Sequence, residues 1–138
     1  MPTSEELAKL PKLRETENIP TAEKIVGMHF FTPRSVWYMT EYCPNKQKFF
    51  GYTIQNFDFD NSDWEYFSFK KLQKLKFKSK LFGMYQETPN AYNFFKHFEI
   101  ERNSCWTPKK VKDIPYIVKG YKQQGLECEL LCNSFTLY

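Results

Sequence analysis

Phe30-Phe31-Thr32-Pro33, Trp37-Tyr38-Met39-Thr40-Glu41-Tyr42, Phe49-Phe50-Gly51-Tyr52 and Glu65-Tyr66-Phe67-Ser68 follow one another closely between residues 30 and 68. Aromatic and β-branched residues favour pleated, half-buried strands, and the segments between these words carry turn chemistry. Thr32-Pro33-Arg34-Ser35 turns the chain once, and Cys43-Pro44-Asn45-Lys46 suits a hairpin. The spacing predicts strands over Val36 to Tyr42, Lys48 to Gln55 and Trp64 to Phe67. Ser68 then caps a helix through Phe69, Leu72 and Leu75, whose spacing gives one apolar stripe. The words describe a meander ending in a helix, and they spell out no reaction.

Working outward, Lys24 to Phe31 alternates, with Val26, Met28 and Phe30 on one side of a further strand. Residues 11–23 form an irregular arm bounded by Pro11 and Pro20. Thr3 and Glu6 make a capping box for a short helix through Leu7 and Leu10 that stops at Pro11. Downstream, the acidic segment Asn56 to Asp63 reads as a solvated loop, and residues 83–96 read as a long loop or insertion. His97 to Trp106 alternates again, placing Phe98, Ile100, Arg102, Ser104 and Trp106 on one face. Thr107-Pro108 is a helix start, limited by Pro115. A last strand covers Leu126 to Leu130. The whole, residues 1–138, reads as one α+β domain: a mainly antiparallel sheet of about five strands with two or three short helices.

Bulk properties bound the function. The chain has 138 residues, 19% of them aromatic, enough for a real core built on rings rather than on Ala or Gly. Its net charge of +4 permits contact with nucleic acid or an anionic ligand without requiring either. No apolar run approaches the length of a membrane span, and Met1-Pro2-Thr3-Ser4-Glu5-Glu6 has no secretory character. Cys43, Cys105, Cys128 and Cys132 read as reduced thiols, and a cytoplasmic location is the expectation.

With these words in place, the chain resembles the domain of unknown function numbered 2958, a family found in plasmids, conjugative elements and bacteriophages. The resemblance is carried by Leu10-Pro11-Lys12-Leu13, Thr16-Glu17-Asn18, His29-Phe30-Phe31-Thr32-Pro33, Trp37 to Tyr42, Phe49-Phe50-Gly51, Glu65 to Phe69, Ile100-Glu101-Arg102-Asn103 and Trp106-Thr107-Pro108. It covers residues 10–116 and leaves residues 117–138 as a C-terminal extension. The segment after Thr32-Pro33 is two residues shorter than the family pattern. Lys71 and Asn103 stand where the family has acids. The resemblance implies a phage or mobile-element origin and brings no established activity.

Candidate chemistry is sparse. Lys70, Lys71, Lys74, Lys76, Lys78 and Lys80 surround Leu72, Leu75 and Phe77, and cations interleaved with rings suit a phosphate backbone with stacked bases. The same residues also suit a solvated helix face. Arg102 is a further candidate cation, and Trp37, Tyr66 and Trp106 are candidate surface rings. Glu41, Glu65 and Glu101 sit on predicted strands, and as a converging cluster they would suit a hydrolase. Structural salt bridges and solvent-facing acids are the preferred reading of the same residues. Cys128 and Cys132 on a strand lie about 13 Å apart, too far to share a zinc, so they read as buried thiols. No phosphate-cradling loop, metal set or cofactor motif is present.

The leading expectation is therefore a small non-enzymatic accessory protein of a bacteriophage or mobile element, acting by binding, with nucleic acid as the ligand preferred on charge. The alternatives are an anti-defence protein that inhibits a host enzyme or sequesters a nucleotide signal, and a hydrolase using the carboxylates.

Overall fold

Sheet pairing is organised by Val36–Cys43, the longest strand among the described residues. The structure, a computed structural model, describes residues 2–74 and 100–131. In chain order its strands are β1 (Ile25–Val26), β2 (Met28–Phe31), β3 (Val36–Cys43), β4 (Lys48–Ile54), β5 (Asp63–Ser68), β6 (Glu101–Arg102) and β7 (Lys109–Lys110). The helices are α1 (Ser4–Ala8), α2 (Phe69–Lys74), α3 (Pro115–Gln123) and α4 (Glu127–Leu131). Strands 2 to 6 form one antiparallel sheet in the order β5-β4-β3-β2-β6, and β1 pairs with β7 apart from it. The expected α+β class is what the chain adopts.

Both turns between the early strands form where their residues place them. Thr32 donates its N–H to the Ser35 carbonyl at 2.9 Å, and Gln47 closes the next hairpin in the left-handed region at φ 49°. The Ser68 hydroxyl accepts the Lys71 N–H at 3.3 Å, satisfying an orphan donor at the start of α2. Thr3 and Glu6 complete the capping box of α1 in both directions.

The sheet is covered on both faces around its centre, and β3 buries both of its sides. One face carries Phe30, Trp37, Met39, Tyr42 and Phe49, packed against Leu7 of α1, Leu72 of α2 and Ile100. The other carries Val36, Tyr38, Tyr52 and Ile54, packed against Val111, Ile114, Ile117, Tyr121 and Leu130. These are called the N-terminal and C-terminal faces after the segments that cover them. A bulge in β3 lets one strand serve both. Met39 pairs with Gly51 and Glu41 pairs with Phe50, so Thr40 is the extra residue. The bulge sends Tyr42 to the N-terminal face beside Phe49 and puts Glu41 opposite Phe50 on the other. Gly51 is required beside it, because a Cβ there would collide with the backbone of Tyr38 and Met39.

Four sequence expectations are corrected. The strand over Lys24 to Phe31 breaks at Gly27, where a Cβ would lie 2.6 Å from Leu10 Cδ2. Val26 consequently packs on the C-terminal face, while Met28 and Phe30 pack on the N-terminal one. The strand expected over His97 to Trp106 is only Glu101–Arg102 among the described residues. The chain then turns, with the Asn103 side chain accepting the Cys105 N–H at 3.1 Å and the Asn103 carbonyl accepting from Trp106.

Thr107-Pro108 starts no helix, because Lys109–Lys110 pairs with β1; Pro115 instead occupies the first turn of α3, where its missing N–H costs nothing. The strand expected over Leu126 to Leu130 is α4. Gly125 at φ 72° ends α3, with Leu126 N–H returning to the Tyr121 carbonyl at 2.7 Å, and Glu127 and Glu129 then favour a new helix start.

The loop after β4 is also less solvated than its composition suggests, since Phe59 in the 3-10 turn Phe59–Asn61 is buried. Leu75, the segment 83–96, Phe98 and Cys132 lie outside the described residues. No helix among the described residues is long and apolar enough to cross a membrane.

Candidate nucleic-acid interface

The pairing of β4 with β5 sets Phe50 opposite Tyr66 and Tyr52 opposite Trp64. Alternation along each strand then turns all four rings to the C-terminal face. Phe50 and Trp64 lie nearly parallel, 5.6 Å apart with 15° between their planes, and Tyr66 lies 4.9 Å from Phe50. The C-terminal helices cover only the Tyr52 end of this ladder. There Trp64 donates its indole N–H to the Tyr121 hydroxyl at 2.7 Å, and Tyr52 stacks on Tyr121. Phe50 and Trp64 are half-buried, and Tyr66 is 53% exposed.

Three cations flank the open end. Lys48 Nζ lies 5.8 Å from the Tyr66 ring, and Lys24 Nζ lies 5.8 Å from Phe50 and 5.9 Å from Trp64. Arg14 is exposed and forms an ion pair with Glu17 at 3.0 Å. That bond raises the Arg14 pKa beyond its already high value.

The N-terminal arm builds one wall of this site. It crosses the part of β3 that β2 leaves unpaired, where the Tyr42 N–H donates to the Pro11 carbonyl at 2.8 Å. Glu41, only 2% exposed, holds the next turn of the arm. Its Oε1 accepts the Arg14 N–H at 2.8 Å, and its Oε2 accepts the Thr16 N–H at 3.0 Å and the Thr16 hydroxyl. The Arg14 backbone is left-handed at φ 68°, a conformation non-glycine residues adopt rarely and which this clamp holds. Thr16 Oγ1 also accepts from Lys24 Nζ at 3.4 Å, so the clamp and the ladder share a residue.

The expected site residues are divided between the two faces. Lys70, Lys71 and Lys74 are exposed on α2, on the N-terminal side of the sheet. Lys76, Lys78 and Lys80 lie outside the described residues. Arg102 is half-buried and reaches Glu6 of α1 at 2.5 Å, fastening the edge strand β6 to the helix. The hydrogen bond from Thr3 and the Arg102 guanidinium hold the Glu6 carboxyl below its ordinary range.

Trp37, expected at the surface, is 3% exposed and belongs to the core of the N-terminal face, because strand alternation pairs it with the buried side. Trp106 is half-buried at the rim of the C-terminal face. Its indole N–H donates to the Val26 carbonyl at 2.9 Å, its ring lies 5.0 Å from His29, and Lys109 Nζ sits 4.0 Å from it. Tyr66 alone of the three stands open as expected.

Phe50, Lys24, Lys48 and Arg14 do not stand out in the sequence. The Phe50-Tyr52 and Trp64-Tyr66 alternation carries the signal, readable once the hairpin register is set.

The three carboxylates do not converge. Glu41 on β3 and Glu65 on β5 are separated by β4, while Glu101 lies on β6, the far edge of the sheet. Both oxygens of Glu41 are engaged by the arm. Among the described residues no group of three or more His, Cys, Asp or Glu is placed to hold a metal. Cys128, expected as a buried strand thiol, is exposed on α4, because the segment is a helix whose Leu130 side faces the core. No family model matches the chain, and neither a curated protein nor a solved structure does.

Proposed function

We propose that this chain is a small non-enzymatic accessory protein of a bacteriophage or mobile element that binds nucleic acid in the host cytoplasm. The motif resemblance supports the origin. The observation that carries the binding reading is the half-open ladder Phe50–Trp64–Tyr66 with Lys24, Lys48 and Arg14 around it. Rings offer stacking surfaces for bases, and nearby cations neutralise phosphates. The exposed lysines of α2 stand on the other side of the sheet. They contribute long-range attraction rather than contacts to the same stretch of ligand.

The test is fluorescence anisotropy of labelled mixed-sequence DNA and RNA at about 50 and about 200 mM salt, where phosphate contacts lose affinity steeply. Binding that weakens with salt and is lost in the Lys24→Glu, Lys48→Glu double variant supports the reading. Lys71→Glu with Lys74→Glu then lowers affinity only slightly. Folded protein that binds no nucleic acid at either salt concentration overturns it.

A further inference from the structure

We propose that the C-terminal face takes single-stranded rather than duplex nucleic acid, stacking unpaired bases on Tyr66 and the Phe50–Trp64 pair. This rests on the nucleic-acid reading above and narrows it to one class of ligand.

The chemistry of the surface selects the class. A duplex presents phosphates and base edges, while the flat faces of its bases are already stacked on one another. Only an unpaired base can lay its face on a protein ring. Here the most exposed ring of the site is Tyr66, and the ladder continues into Phe50 at 4.9 Å. Among the described residues three cations flank these rings. Lys24, Lys48 and Arg14 can meet at most three phosphates, too few for a duplex held through its backbone alone.

Each cation has only light or exposed contacts among the described residues. Among the described residues Lys24 Nζ has one long bond, 3.4 Å to Thr16 Oγ1, besides its place beside the Phe50 and Trp64 rings. Arg14 can exchange Glu17, with which it shares a single exposed ion pair, for a phosphate. Lys48 is held against the Tyr66 ring at 5.8 Å, beside the place where a stacked base would put its sugar and phosphate. The acid nearest in sequence, Glu65, points to the opposite face of β5 by strand alternation, so it does not repel a strand lying on Tyr66.

The test compares a labelled twelve-residue oligothymidine with a labelled hairpin duplex on the full chain, using Tyr66→Ala and Tyr66→Phe variants checked for folding by circular dichroism. The oligothymidine should bind at least about tenfold more tightly than the duplex, and Tyr66→Ala should cost it on the order of tenfold while Tyr66→Phe restores it. The salt slope of log affinity should be about −2, three phosphates at about −0.7 each. Equal binding of both probes, indifferent to Tyr66→Ala, overturns this proposal and leaves the broader nucleic-acid reading standing. Binding of neither probe by folded protein overturns both.

Discussion

The two faces of the sheet are held by different physics although the same strands supply both. The N-terminal face is closed by rings on rings: Phe49 meets Phe30, Tyr42 and Phe69 with centroids 4.6–5.7 Å apart. The C-terminal face adds a buried polar network to its apolar core. There Tyr52 and Ser62 hydroxyls meet at 2.6 Å, Ser62 donates to the Phe59 carbonyl at 2.8 Å, and Gln124 Nε2 donates to the carbonyls of Phe59 and Ser62 at 3.0 and 2.8 Å. Apolar packing covers a face without regard to direction, whereas a hydrogen-bonded network fixes one register of helix on sheet. The directional face is also the one left partly uncovered. The lesson is that α3 is fastened at a few points, and the rings beyond those points remain available.

The largest test of this contrast is Phe49→Ala. It removes a fully buried ring from the nondirectional face and should cost about 3–5 kcal/mol in urea unfolding. A loss below about 1 kcal/mol would mean that face can collapse around the gap, and the contrast would fail.

Next comes Ser62→Ala, a much smaller change in volume. It leaves the Tyr52 hydroxyl and one Gln124 bond without their partner and should cost about 1–3 kcal/mol. A cost within about 0.5 kcal/mol, the range of ordinary surface substitutions, would show that the network does not fasten α3.

The smallest effect is pH-dependent and also belongs to the C-terminal face. His29 stacks on Tyr38 at 4.7 Å, and its Nδ1 accepts from the Asn103 amide at 3.3 Å. Its buried Nε2 has no hydrogen-bond partner among the described residues. Burial first, and then the charge of Lys109, lowers its pKa from 6.5 to about 4. The folded state therefore takes up the proton later than the unfolded chain. Stability from this group is complete above pH 6.5 and is lost as pH falls from 6.5 toward 4. Discounted for the ring's partial exposure, the loss is on the order of 1–2 kcal/mol. Thermal melts of the parent and His29→Gln across that window measure it, and equal slopes would remove His29 from the account.

Local pattern is enough for the meander and not for the segments after it. Turn residues and alternation place β3, β4 and β5 within a residue or so, because register in a half-buried hairpin is strongly specified. The C-terminal segment misleads for an identifiable reason. Leu126, Cys128 and Leu130 alternate over five residues, and so short a run does not distinguish a strand from one turn and a half of helix. Gly125 is the deciding residue: it ends one helix and lets another begin. Trp37 is misplaced by pattern alone because a ring's surface role depends on which face is covered, and a single strand does not reveal that. The ladder escapes a sequence reading for the same reason in reverse. Phe50 and Tyr66 are distant in sequence from the arm and from Lys24, so only the folded chain assembles them.

The crossing of the arm over β3 has a consequence for the protein's behaviour at high concentration. A strand edge with free N–H and C=O groups is a template on which a second chain can add itself. Beyond the reach of β2, that template is occupied by the chain's own Pro11, and Glu41 holds the following turn in place. The N-terminal arm thus caps this strand edge as well as walling the ring ladder, and one buried carboxylate secures both.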